Sequence, residues 1–256
     1  MSSRVGFDEP AIARADRASL RQLWWRHARV PLFAFIVLAL PLAVTHIDVA
    51  IAHALFFDAS QMRWIGAENF WVNDLVHVGG RWFMRGVVAA AFVLCVSASF
   101  RPGLRRWRRP AAYFVTAAVL SIGICGLLKT ITNVDCPWDL TEFGGRFPVV
   151  ALFADRPDDL RHAHCFPAAH AASGYALLAL YFLFRERSAA LARLGLAVGI
   201  GTGLIFGIAQ QARGAHFVSH DIWSAFLVWI ISLSVYTWIF RARLWEPAQP
   251  DGPQRA

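Results

Sequence analysis

Arg213-Gly-Ala-His216-Phe-Val-Ser-His220-Asp221 places an arginine, two histidines and an aspartate within nine residues, at the junction of two strongly apolar segments. Charged groups beside a lipid span are costly unless they are paired or lead to water. The stretch therefore reads as a functional junction between two membrane spans, against the plainer reading of a polar loop in the headgroup layer. That reading requires more spans on either side of it, and the chain supplies them.

The 256 residues are 57% hydrophobic and only 16% charged, with a mean hydropathy of +0.45. A soluble domain carries about 25% charge. Six segments are apolar enough to span as helices, at 30–49, 83–100, 112–131, 170–184, 192–210 and 222–240. The expected fold class is all-α: a polytopic membrane protein of six transmembrane helices with an outer amphipathic helix and a long outer loop. A tail at 1–29 precedes the membrane domain at 30–240, and a Pro/Gln-rich tail at 241–256 reads as disordered. The first thirty residues hold six arginines and no signal-peptide core, so the first span is expected to stay as an anchor. In the fifth span, Gly195, Gly199, Gly203 and Gly207 form a face suited to close helix packing.

The basic residues set the orientation. Of 25 Lys and Arg, 17 fall in the two tails and in 101–109 and 185–193, leaving eight for the other side. The positive-inside rule then places both termini in the cytoplasm and the segments 50–82, 132–169 and 211–221 outside. Topology and anionic headgroups account for the net charge of +8. The partners implied are the lipid bilayer and a membrane lipid, not nucleic acid; the oligomeric state is not encoded. Within 50–82, Trp64, Phe70, Trp71, Leu75 and Val78 alternate with polar residues before Gly79-Gly80. This pattern predicts an interfacial amphipathic helix ending at the glycine pair.

The reactive polar residues all lie on the outer side, at span ends. Lys129-Thr-Ile-Thr-Asn-Val-Asp-Cys136-Pro137-Trp138 closes the third span, and Cys165-Phe-Pro167-Ala168-Ala169-His170 opens the fourth. With the opening stretch they make three clusters whose convergence would build a phosphate site. Lys129 and Arg213 supply positive charge, and a helix start after Pro167 offers the N–H groups of Ala168, Ala169 and His170 to an anion. Two histidines on separate span ends can serve as nucleophile and proton donor. A lysine at a span end is more often a snorkelling anchor. Lys129, however, is the only lysine among 25 basic residues, so its compact ammonium is the feature retained.

The combination resembles the type 2 phosphatidic acid phosphatases: Lys-x6-(Arg)-Pro, Pro-Ser-Gly-His, then Arg-x5-His-x3-Asp on six spans. Asn-Val-Asp-Cys-Pro-Trp and Gly-Ala-His-Phe make the bacterial membrane-associated branch the nearest likeness. The resemblance implies a metal-independent phosphatase without cofactor, acting through a phosphohistidine in the bacterial inner membrane, with its site facing the periplasm. By it, His216 is the nucleophile, His170 the general acid, and Lys129 a phosphate ligand. Cys136 stands at the first-motif arginine, and Arg146 of the same loop is the expected substitute. Alanines 168 and 169 replace serine and glycine of the second motif. Gln210 stands at the third-motif arginine, with Arg213 a turn later as its replacement. Four residues past His216 stands His220, with Asp221 next. Either can support His216, and Asp221 is favoured because a carboxylate stabilises an imidazolium better.

In an oxidising outer compartment Cys136 and Cys165 are an expected disulfide, clamping the Lys129 segment to the His170 helix start. The alternatives within reach are a lipid phosphotransferase on the same site, a zinc hydrolase using some of His162, His164, His170, His216 and His220, and a transporter. The zinc reading lacks a recognisable ligand pattern. The transporter reading lacks charges inside the spans.

Overall fold

Apolar runs of this length bury their backbone polar groups only as helices, and helices dominate the computed structural model, which describes residues 9–150, 154, 157 and 160–240. The tail 241–256 expected to be disordered, residues 1–8 and Arg156 lie outside the described residues. Helix α1 (Glu9–Val44) begins well before the expected first span and ends five residues short of it. The Thr45 hydroxyl donates to the Pro41 carbonyl at 2.6 Å and accepts from the Ile47 N–H at 3.3 Å. There the chain turns, and a separate short helix, α2 (Ile47–Leu55), follows. A small antiparallel pair, β1 (Phe57–Asp58) and β2 (Arg63–Trp64), leads onward.

The outer amphipathic helix is not a separate element. A π-helical segment, Trp71–Gly79, runs without a break into α3 (Gly80–Phe100). Gly79 and Gly80 take ordinary right-handed helical angles, with φ of −60° and −58°, so the pair does not terminate a helix. Gly80 serves contact instead: a Cβ there would run into the ring of Phe206.

Helix α4 (Arg105–Ile131) returns across the core. After the long loop come α5 (Ala169–Tyr175), one 3₁₀ turn at Ala176–Leu178 and α6 (Ala179–Phe184). Helix α7 (Ala189–Ala212) is capped by Ser188, whose hydroxyl accepts from the Leu191 N–H, and α8 (Val218–Phe240) closes the bundle. Five helical stretches among the described residues are long and apolar enough to cross a membrane. The expected fourth span, here Ala169–Phe184, covers about 24 Å against the roughly 30 Å of a hydrocarbon core. The protein is an all-α polytopic membrane protein.

Tyr113, Phe182 and Leu233 fill the centre, and the Tyr113 hydroxyl donates to the Ser232 carbonyl at 3.2 Å, which satisfies its polar tip in an apolar interior. The glycine face of α7 packs as its spacing predicts. A Cβ at Gly199 would strike the Leu178 backbone, and one at Gly203 the ring of Tyr175. These approaches seat α5 and α6 on α7 and so fix where the loop before α5 meets the loop after α7.

Candidate active site

The three outer clusters are stitched into one floor. Cys136 and Cys165 are joined in a disulfide with Cα atoms 5.2 Å apart. The Cys165 N–H donates to the Val134 carbonyl, the Thr132 hydroxyl to the Phe166 carbonyl, and the Trp138 N–H to the Gly214 carbonyl. Gly214 has φ +73°, and a Cβ there would meet the indole of Trp64, so this turn requires glycine. Asp48 of α2 accepts from the Ser219 N–H at 3.1 Å and caps α8 from a distant part of the chain. Burial raises the Asp48 carboxyl above its ordinary value, against these hydrogen bonds.

Within this floor His216 is 3% exposed. Its Nε2 lies 3.4 Å from Lys129 Nζ, and its Nδ1 lies 3.2 Å from Nδ1 of His220. The hydrogen positions follow from what each group can do. An ammonium only donates, so Nε2 of His216 must offer its lone pair and the ring proton must sit on Nδ1. His220 Nδ1 and the Cys165 backbone both stand within reach of that proton, and His220 is hydrogen-bonded to the same backbone. Burial first, and then the Lys129 ammonium, push His216 well below the ordinary imidazole range. At neutral pH the chain thus holds an unprotonated nucleophilic nitrogen beside a fixed cation.

A cavity of about 730 Å³ opens on this nitrogen. Its polar end carries Lys129, His170, Gln210, His216, His77 and Arg81. Its far wall is apolar, made by Val88, Phe92, Val115, Val119 and Ile122 of α3 and α4. His170 stacks on Phe206 with ring centroids 4.6 Å apart, and its Nε2 is buried without a partner among the described residues. A ring locked by stacking, with one free nitrogen at a cavity, is suited to move a proton to or from a bound group.

The structure places the other expected residues at various distances from this nitrogen. Asp221 does not support His216: the residue facing it is His220. Four residues along the chain puts His220 beneath His216, while Asp221, one further, turns toward α7, where Gln211 Nε2 donates to its carboxylate. Arg213 stands behind the cavity lining: its Nη1 donates to Gln210 Oε1 at 2.7 Å, Gln210 reaches the wall, and the Arg213 charge bears on His77 and His170. Arg146 is exposed on the outer loop, where its backbone N–H bonds the Asp139 carbonyl, and it does not reach the cavity. The Ala168 N–H is spent on the His220 carbonyl at 3.4 Å, while Ala169 lines the cavity. Among the described residues no three His, Cys, Asp or Glu side chains gather in a metal-holding group. His164 instead binds the Lys129 carbonyl and helps fix the loop.

Three cavity residues escaped the sequence reading: His77, Arg81 and Arg85. Arg81 and His77 hydrogen-bond at 2.9 Å, one helical turn apart. Their signal was present as a spacing of four, His77, Arg81, Arg85, continued by Val88 and Phe92 on one helix face. Taking Gly79-Gly80 as a helix end cut that face in two.

The family model described as the PAP2 superfamily matches residues 110–244. It therefore takes in α5 to α8 and most of α4, with Lys129, His170 and His216, and leaves out α1 to α3. No curated protein matches the chain. No solved structure matches it.

Proposed function

The chain belongs to the PAP2 superfamily, and from that premise of a membrane-associated phosphatase we propose a metal-independent lipid phosphatase that works through a phosphohistidine on His216. The observation that carries this reading is the two-ended cavity: a buried imidazole nitrogen and cations at one end, an apolar wall at the other. The substrate is a lipid phosphate or diphosphate that enters sideways from the bilayer. The arginine distribution and the disulfide beside the site support an outer-face location in a bacterial inner membrane, with both termini cytoplasmic.

His216 Nε2 attacks phosphorus, and the bond to the leaving oxygen breaks as His170 supplies that oxygen with a proton. Lys129, adjacent to the attacking nitrogen, holds the phosphoryl oxygens as charge shifts onto them. The imidazolium that forms keeps its Nδ1 proton in the bond to His220, which takes the supporting place expected of Asp221. Water then attacks the phosphohistidine, His170 accepts its proton, and inorganic phosphate leaves. The test is a panel of lipid phosphates given to the purified protein with a chelator present. Phosphate release that persists in chelator and falls by about a thousandfold or more in His216→Ala is the expected result. Release that survives that substitution, or that stops in chelator, overturns the reading.

A further inference from the structure

Fixed charge in the cavity exceeds what one phosphate monoester needs. Among the described residues Lys129, Arg81 and Arg85 all line it, and no acidic side chain does. A monoester brings at most two negative charges. Arg85 adds the excess in an unfavourable place, one turn deeper into the span than Arg81, or about 6 Å along α3. Its guanidinium lies over the Trp82 ring at 4.8 Å and forms no ion pair among the described residues. The wall is also ordered. His77, Arg81, Arg85, Val88 and Phe92 follow one another along one helix face, from the reacting end toward the apolar end. Any group touching Arg85 thus sits between the reacting phosphorus and the lipid tail. All of these residues precede the segment that the family model matches.

We propose that Arg81 and Arg85, with His77, form a second anion subsite, and that the substrate is a lipid whose head carries a second phosphate between the reacting one and the tail. The terminal phosphorus meets His216 Nε2, and its bond to the bridging oxygen breaks. The inner phosphate leaves on the tail, held by the two guanidinium groups, whose forked donors suit its oxygens. In a diphosphate the products are inorganic phosphate and the lipid monophosphate, with water consumed when the phosphohistidine hydrolyses. This inference rests on the phosphatase reading and narrows it to a substrate class.

The experiment measures kcat/KM for three probes: an isoprenyl monophosphate, the diphosphate of the same chain, and a diacylglycerol phospholipid ending in a phosphodiester and a terminal monoester. Wild type is expected to prefer at least one two-phosphate probe over the monophosphate by about tenfold or more. Which of the two it prefers identifies direct or glycerol-spaced phosphates. Arg85→Gln removes most of that preference, while Arg85→Lys retains part of it. Thermal unfolding in detergent, alike in wild type and both variants, is the folding control. An equal preference in wild type and Arg85→Gln, or no preference in wild type, overturns the subsite and leaves Arg85 a headgroup anchor. A wild type inert toward all three probes overturns the phosphatase reading itself.

Discussion

On the α4, α5 and α8 side of the cavity the reactive groups are locked in place. His216 and His220 are 3% and 2% exposed, His170 is stacked, and a disulfide with four backbone or hydroxyl bonds holds the loops around them. On the α3 side Arg81 and Arg85 are exposed, and the helix beneath them is lightly packed. In the Trp71–Phe100 stretch 11% of the apolar window is buried, against 39% in Pro102–Ile131. The difference divides the labour of the site. On the proposed reading, the positions that hold the nucleophile lie in the core, and the wall proposed to meet the lipid lies on a peripheral helix.

The largest expected effect tests the locked side. His170→Gln keeps a similar size but cannot carry the proton, so kcat falls between about 10² and 10⁴-fold with KM little changed. An equal fall in kcat and rise in KM would make His170 a binding residue. Next, replacing Cys136 and Cys165 together by serine removes the link across 29 residues of chain and costs about 2–4 kcal/mol of stability, read by thermal unfolding in detergent. The two walls then separate by glycine. Gly199→Ala drives a Cβ into the Leu178 backbone and destabilises by about 1–3 kcal/mol. Gly86→Ala on α3 meets open space and stabilises by roughly 0.4–1 kcal/mol. Equal losses at both positions would erase the contrast. Smallest of all, Arg146→Ala on the exposed loop changes kcat/KM by less than about twofold, since its side chain does not reach the cavity.

Much of this was legible in the chain because hydropathy and charge act at long range. Apolar runs announced the helices, and Lys129, His170 and His216 could be singled out because polar groups at span ends need a reason. Less legible were choices that depend on helix phase. Asp221 and His220 are neighbours in sequence but point to different helices, and only the turn between Ala212 and Val218 decides which of them lies under His216. The run His77, Arg81, Arg85 was hidden for the opposite reason. Its periodicity is plain, but a glycine pair has two uses, and the ring of Phe206 that makes this pair a packing contact lies 126 residues away. Arg213 was placed by helix phase from Gln210 and Arg146 by its loop, and neither placement fixes where a long side chain turns.

The account stands most directly on one measurement. Purified protein is quenched in alkali during turnover of a lipid phosphate, and its peptides are searched for the phosphoryl group. An acid-labile phosphohistidine on the peptide holding His216, missing in His216→Ala, is the predicted result. A phosphoryl group on another residue, or full turnover without His216, would contradict it.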